Sequence, residues 1–417
     1  MVISYLARHF TEDRTLKPTN VLHRTTGALL FCALSVGAQT QSTPPPAPTS
    51  TPSTSPASAP ADQAPAPAAA ASPTWSVGGI DLSGYLDAYY SYNVNRPSVT
   101  ANGQINDLYN FNDKTDQFNL SAAKITLNHD PDPVGVHVDI IFGRTNAIIH
   151  AASETSTVNY LEQAFISFKP PKAHGAELDF GQFVTSAGAE VIEAKDDWNY
   201  SRSLLFSWAI PYYHFGLRTS LPVTKSWTAG LQVVNGWNNV NASNGGVTIG
   251  LTSALVKPKF TWNLNYYTGP QNFNTQSGYR NLIDSTILLT PTSKFSAYIN
   301  YDYGQNHTDA MNEAPAMSDH WQGVAVAAVG NIFGKSSVAG RYEYFSDPEG
   351  FSTGTAQNVQ EFTGTYQYKW LEGLLTRFEV RHDWSDQYFF HKGNSELVQG
   401  QTTVTLAFIA FFGPKRQ

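Results

Sequence analysis

Charged residues are scarce in this sequence of 417 residues: only 14% are Asp, Glu, Lys or Arg, against about 25% in a typical soluble domain. No apolar run of about 18 residues occurs, which excludes a bundle of membrane-spanning helices. The net charge is −7 and no basic cluster is present, which argues against nucleic acid as a partner. Few charges without long apolar runs are the composition expected of a barrel that is polar inside and faces lipid outside.

Catalytic and nucleotide-binding motifs are also absent. The sequence contains no HExxH, GxSxG or GxxxxGK[ST] motif and no CxxC pair. It does contain two adjacent acid and histidine pairs, Asp319-His320 and His382-Asp383. Neighbouring residues of a strand point to opposite faces, so neither pair forms an acid–base unit by itself. We therefore expect no enzymatic activity, no cofactor and no metal site.

The first 74 residues differ in composition from the rest. Residues 1–38 have the features of a secretory signal peptide: basic residues, a short apolar segment with the only cysteine, and the small residues Val36 and Ala38 at the cleavage positions. The twenty residues before Val21 are long and polar for such a signal, so we expect translation to start near Val21. Residues 39–74 are mostly Pro, Ala, Ser and Thr and predict a disordered, semi-extended linker.

From Trp75 onward, apolar and polar residues alternate with the period of a β-strand. The clearest segment is 374–384, in which Phe378 and Val380 share one face and four charged residues share the other. An arginine facing the centre of a bilayer costs about 2–4 kcal/mol, so the charged face must line the lumen. The lumen-lining residues predicted in this way are Arg218, Arg341, Glu343, Arg377, Glu379, Arg381 and Asp383.

The connections between predicted strands alternate between short and long. We place strands at 79–93, 115–128, 134–145, 158–169, 176–184, 210–221, 226–237, 247–257, 259–268, 279–290, 294–304, 320–332, 336–346, 357–370, 373–384 and 397–412. Short turns on one side and long loops on the other are typical of outer-membrane barrels. Residues 75–417 are therefore predicted to form an all-β, transmembrane antiparallel β-barrel of about 16 strands, within a range of about 14–18. Its short turns are expected in the periplasm and its long loops outside the cell.

The two rims of the predicted barrel differ in charge, and both carry aromatic residues. Six of the seven short turns contain or adjoin a lysine, whereas the long loops contain acids such as Glu313 and Asp386. We expect these acids to meet divalent cations and lipopolysaccharide, although an ordinary solvated loop is the simpler interpretation. Tyr and Trp residues near strand ends, including Trp227, Trp321 and Trp370, are expected to form girdles at the membrane interfaces.

The longest loop carries the densest cluster of charge. Its charged residues are Glu190, Glu193, Lys195, Asp196, Asp197 and Arg202. The apolar segment 204–210 follows them, and a loop with both charged and apolar parts can fold inward and narrow the lumen. We expect its acids to face basic wall residues such as Arg218, Arg341 and Arg377. Paired carboxylates could instead serve acid–base catalysis or bind a cation, and an ordinary surface loop is a third alternative.

Five short segments follow the predicted signal peptide and linker, in this order: GYLDAYY (84–90), FNL (118–120), GAEVIE (188–193), WNYSRSLLF (198–206) and IPYYH (210–214). In this order they resemble the OmpL-like beta-barrel porins of Gram-negative bacteria. The resemblance runs roughly from Gly79 to the C-terminus and is specific around Glu190 to His214. It implies an outer-membrane channel and carries no information on the solute. One departure is that Phe412 is followed by GPKRQ, whereas outer-membrane strands commonly finish on a terminal aromatic residue.

The sequence favours a porin of the cell outer membrane, a passive diffusion channel for small hydrophilic solutes that an inward-folded charged loop narrows. Two alternatives stay open: a barrel enzyme with an acid–histidine site at its rim, and a plugged structural or adhesive barrel. The expected partners are outer-membrane lipid and lipopolysaccharide, the solutes, the barrel assembly machinery and, in a homo-oligomer, further copies of the chain.

Overall fold

The chain folds into a closed antiparallel β-barrel of sixteen strands. A computed structural model describes residues 75–98, 104–150, 159–309 and 315–414; the predicted signal peptide and linker lie outside them. Each strand pairs with its neighbours in sequence, and the last pairs with the first, which closes the barrel. The strands are β1 (Ile80–Asn93), β2 (Gln117–His129), β3 (Val134–Phe142), β4 (Leu161–Phe168), β5 (Glu177–Val184), β6 (Tyr213–Pro222), β7 (Trp227–Val234), β8 (Thr248–Lys257), β9 (Phe260–Gly269), β10 (Tyr279–Thr292), β11 (Phe295–Thr308), β12 (Met317–Phe333), β13 (Ser336–Asp347), β14 (Gln357–Leu371), β15 (Leu374–Ser385) and β16 (Gly400–Phe412).

The connections alternate in length as predicted, and the fold prediction is confirmed. Four of the seven short turns have only two residues, while the connection between β5 and β6 spans 185–212. Strand ends differ from the predicted ones by up to four residues, most at β11, which continues to Thr308. There the polar residues Gln305 and Asn306 extend the ladder by pairing with His320 and Asp319. The alternation of apolar and polar residues marks only the part of a strand that faces lipid. It therefore does not predict an extension that consists of polar residues.

The two faces of each strand sort residues by polarity. On β15, Arg377 and Arg381 are 2% and 1% exposed, whereas Phe378 and Val380 are 48% and 39% exposed. The charged face therefore points into the barrel and the apolar face points out. Similar outward-facing residues occur around the barrel, among them Ile125, Leu251, Ile299, Phe362 and Phe408. They form an apolar outer surface of the kind that lipid covers.

The aromatic residues near strand ends do not all belong to this outer surface. Trp227 and Trp370 are exposed there, as expected of interfacial residues. The prediction for Trp321 is wrong, because its side chain is fully buried inside the barrel and its Nε1 donates to the carbonyl oxygen of Ala209 at 3.0 Å. A side chain on the facing residue, Gly304, would overlap the indole ring. Position along a strand thus does not decide the face that an aromatic residue occupies.

In the described part of the chain, helical structure lies in the connections between strands. A helix of six residues, Arg144–Ile149, follows β3, and two shorter helical turns, Ala194–Asp196 and Leu205–Ala209, lie between β5 and β6. Among the described residues, no helix is long and apolar enough to cross a membrane.

Candidate functional site

Residues 185–212, which we call the inner loop, connect β5 to β6 and lie inside the barrel. The apolar end of the loop forms one turn of π-helix, Leu205–Ala209. Leu204 and Leu205 are fully buried in the same apolar cluster as Trp321 of β12 and Phe345 of β13. Burial of this apolar segment against the wall explains why the loop turns inward rather than into water.

Carboxylates of the wall bind the backbone of the inner loop. Glu379 of β15 accepts hydrogen bonds from the N–H groups of Tyr200 and Ser201, at 2.5 and 2.9 Å. Glu343 of β13 accepts them from Leu204 and Leu205, at 3.0 and 3.1 Å. An irregular segment has no ladder partners, so its buried N–H groups need acceptors of this kind.

Arginines of the wall bind the carbonyl groups of the same loop. Arg377 donates to the carbonyl oxygens of Ala194, Asp197 and Asn199. Arg381 donates to the carbonyl oxygen of Arg202 at 2.7 Å. We call these contacts, with those of Glu343 and Glu379, the wall clamps. Arg341 also donates to the carbonyl oxygen of Ser201 at 2.8 Å. Five of the seven predicted lumen residues therefore bind loop backbone, a role that a residue pattern does not specify.

The inner loop also contacts strands on both sides of β13 to β15, which lie across the barrel from β5 and β6, so it spans the lumen. The N–H of Gly188 donates to Asp284 of β10 at 2.9 Å, and the N–H of Ala189 donates to Asn300 of β11 at 3.1 Å. The hydroxyl of Tyr200 donates to Asp87 of β1 at 2.9 Å. A loop tied to strands on several sides of the barrel divides its interior.

Side-chain charges of the loop are paired, partly within the loop itself. Glu190 meets Arg341 of β13 at 2.6 Å, as expected. Arg202 pairs with Asp197 at 3.1 Å, and Lys195 pairs with its neighbour Asp196. The expected contact with Arg218 is absent: this guanidinium binds Asp179 of the adjacent strand at 2.8 Å. Of the three wall arginines expected to face the loop acids, Arg341 forms an ion pair with one of them, Arg377 binds loop carbonyl groups, and Arg218 binds Asp179.

A cleft remains between the inner loop and strands β9 to β11. On the loop side it is lined by Glu190, Asp196, Asp197 and Trp198. On the wall side it is lined mainly by hydroxyl and amide side chains, namely Thr261, Asn263, Thr286, Thr290 and Ser296, together with Leu288 and Tyr298. This cleft is the candidate passage.

A sequence model described as "Putative beta-barrel porin-2, OmpL-like" matches residues 79–412. The chain belongs to this family. The predicted resemblance is confirmed over nearly the same span. A search of curated proteins found no match. Membership in this family, together with the barrel fold, points to a porin-type protein of the outer membrane.

Solved structures of outer-membrane proteins share the fold. The anion-selective porin from Comamonas acidovorans aligns with a TM-score of 0.56 and 11% identity, over 80% of this chain and 99% of that one. The outer membrane channel DcaP of Acinetobacter baumannii aligns with a TM-score of 0.53 and 10% identity, over 80% and 97%. The OmpT of Vibrio cholerae aligns with a TM-score of 0.50 and 10% identity, over the same shares. At such identities the likeness establishes the barrel fold and leaves the solute open.

Sequence reasoning missed a buried charge cluster beside the inner loop. Lys124 of β2 lies 3.0 Å from both Asp139 of β3 and Glu162 of β4, and it also contacts Glu193 of the loop. Ligand atoms of the three carboxylates lie within 4.8 Å of one another, a set that could hold a cation, but the ammonium of Lys124 already lies among them. Burial raises the pKa of Glu193, but the charges of Lys124 and Lys195 and the hydrogen bond from Lys124 together hold this pKa below its ordinary value. The sequence indicates this cluster only through the alternation of residues along the strands, which places Lys124 and Glu162 on the lumen face.

The two acid–histidine pairs do not form a site. Asp383 points into the barrel and binds Arg381 at 2.6 Å, whereas His382 is on the outer face, with its Nδ1 2.8 Å from the hydroxyl of Thr402. His320 pairs with Glu349 at 3.0 Å. The structure therefore separates His382 from Asp383 and gives His320 a different acid as its partner.

Proposed function

We propose that this protein is a passive diffusion channel for small hydrophilic solutes, and that its inner loop narrows the passage. The observation that carries the proposal is the set of wall clamps, which ties an irregular segment across a polar barrel interior. In this proposal, a segment held at so many points reduces the open cross-section without closing it, and the cleft beside β9 to β11 is the space left for solutes. Selection by size would then follow from the position of this segment.

The proposal includes an orientation and partners. The short turns face the periplasm and the long loops face outward, as in other outer-membrane barrels. Acids of the long loops, such as Glu349 and Asp386, meet divalent cations and lipopolysaccharide there. The barrel assembly machinery recognises β16 near its end at Phe412. Further copies of the chain are partners if the barrel is oligomeric, and chemical crosslinking in native membranes tests this.

The experiment is a deletion within the inner loop. Removing Glu190 to Trp198 leaves the strands untouched, so the barrel should still fold, while single-channel conductance in planar bilayers should rise. Liposome swelling should show entry of larger sugars than the intact protein admits. A control deletion of Asn241 to Gly245, in the connection between β7 and β8, should leave both measurements unchanged.

Each outcome of this experiment has a definite meaning. Unchanged conductance after the inner-loop deletion would withdraw the narrowing role. No conductance in the intact protein, followed by conductance in the deletion variant, would favour a plugged structural or adhesive barrel. No conductance in either folded protein would refute the channel itself.

A further inference from the structure

The cleft beside the inner loop differs from the rest of the lumen in its lack of charge on the wall side. In the described residues that line it, strands β9 to β11 contribute hydroxyl, amide, aliphatic and phenol groups and no ionised side chain. The lumen charges of β13 to β15, by contrast, are buried behind the inner loop, where they form the wall clamps. A solute in the cleft therefore meets neutral polar groups on one side.

The acids on the loop side of the cleft are paired. Glu190 is bound by Arg341 at 2.6 Å and also accepts the N–H of Ser203 at 2.6 Å. Asp197 is bound by Arg202 at 3.1 Å. Asp196 forms an ion pair with its neighbour Lys195. The cleft thus presents little net charge to a solute. Selective binding of an ion through a charged group of the cleft is therefore disfavoured.

An aromatic surface lies on the loop side of the same cleft. The ring of Trp198 is partly exposed and packs on the ring of Tyr298, with centroids 5.0 Å apart and planes tilted by 36°. Tyr298 is itself buried and its hydroxyl faces Glu190 at 3.3 Å, so the support beneath Trp198 is fixed. A fixed indole surface presents a large apolar contact area with little loss of conformational entropy.

One residue that lines the cleft carries a buried polar group without a partner. Thr286 lines the cleft, is 5% exposed, and its Oγ1 has no hydrogen-bond partner among the described residues. A buried hydroxyl without a partner is costly unless a ligand or water completes it. The hydroxyls of Thr261 and Ser296 line the cleft as well.

We infer that the cleft between Trp198 and strands β9 to β11 is a binding site for uncharged, polyhydroxylated solutes, the class of small sugars. A sugar ring presents C–H groups on its faces, which pack on an aromatic surface, and hydroxyls at its edge, which bond to Thr, Ser and Asn side chains. The inference rests on the proposed channel function and adds the class of solute. It makes the narrowest part of the passage a weak sugar site rather than a simple sieve.

The test measures sugar-dependent blocking of the ion current through the refolded full-length protein. Sucrose and maltotriose, added in the millimolar range, should reduce the open current in a saturable way, while glutamate at equal concentration should not. Trp198→Ala should raise the dissociation constant for maltotriose about tenfold, and Trp198→Phe should raise it less. Thr286→Val, which removes the hydroxyl at nearly constant volume, should weaken binding about threefold to tenfold. Tyr388→Ala, an aromatic residue 70% exposed in a long loop, is the matched control and should not change blocking.

The outcomes separate this inference from the channel proposal. An ion current that sugars do not block would overturn the sugar site and leave the channel intact. Blocking that is unchanged in both Trp198→Ala and Thr286→Val would also overturn it, because the site would lie elsewhere. Saturable blocking by glutamate with none by maltotriose would show a charged-solute site instead. The absence of any ion current would refute the channel itself, together with the inference that depends on it.

Discussion

Glu379 is the wall residue whose removal should release the inner loop most directly. Its carboxylate accepts the N–H groups of Tyr200 and Ser201 at 2.5 and 2.9 Å, and the hydroxyl of Thr365 at 2.7 Å. In Glu379→Ala, both backbone N–H groups lose their acceptor in a buried position. Each such loss costs about 1–3 kcal/mol, so the docked loop should be destabilised by about 2–6 kcal/mol relative to a released loop.

This change should be visible in single-channel recordings. Since 1.4 kcal/mol is about a factor of ten, the released fraction should rise by at least about tenfold. We expect frequent steps to a higher conductance in Glu379→Ala and few in the wild type. The backbone ladder between β14 and β15 does not depend on this side chain, so the folded barrel should keep its mobility in unheated gel electrophoresis. Glu379→Gln retains one acceptor oxygen and should give an intermediate frequency of steps.

A charge-removing variant outside the barrel provides the control. Glu396 lies in the exposed hairpin between β15 and β16 and pairs with Lys392, so Glu396→Gln should record like the wild type. If Glu379→Ala has the same mean conductance and the same current noise as this control, the hydrogen bonds of Glu379 do not hold the loop. The reasoning from the wall clamps would then be refuted.

Two further predictions concern the barrel wall and its field. Phe378→Arg places a charge on the outer face at a cost of about 2–4 kcal/mol near the bilayer centre, so this variant should fail to assemble. Glu379→Gln changes a lumen residue and should assemble. A heat-modifiable band in gel electrophoresis checks both variants. Residues 75–417 carry a net charge of −8, because residues 1–40 contribute +2 and the linker −1 to the total of −7. The acidic mouth should therefore favour cations modestly, most at low ionic strength. A reversal potential showing anion preference in a low-salt gradient would contradict this.

The barrel could be predicted from the sequence because lipid imposes a pattern on every strand. Apolar residues must alternate with lumen residues, and Phe378 and Val380 against Arg377 and Arg381 show the rule at its clearest. Short turns and long loops supply a second signal that does not depend on alternation. These constraints are local, so a single sequence displays them.

The contacts inside the lumen could be predicted only in part. The mixed character of residues 185–212 indicated an inward loop, but which side chain meets which group depends on strands far apart in the chain. Lys124, whose three carboxylate partners come from two strands and the loop, illustrates this limit. Trp321 illustrates a second limit of prediction. An aromatic residue near a strand end is compatible with an interfacial girdle and equally with a buried contact, such as the hydrogen bond of Trp321 to Ala209.

The wall clamps join parts of the chain that are synthesised far apart. Glu343 binds a segment 138 positions earlier, and Glu379 binds one 179 positions earlier. Docking of the inner loop therefore depends on contacts between distant parts of the chain, and it can be completed only when β13 to β15 are in place. An assembly intermediate in which these strands are not yet in place has a polar interior without the wall clamps that hold the loop. Under the proposed function, a defect in β13 to β15 should therefore appear as leakiness before it appears as loss of protein.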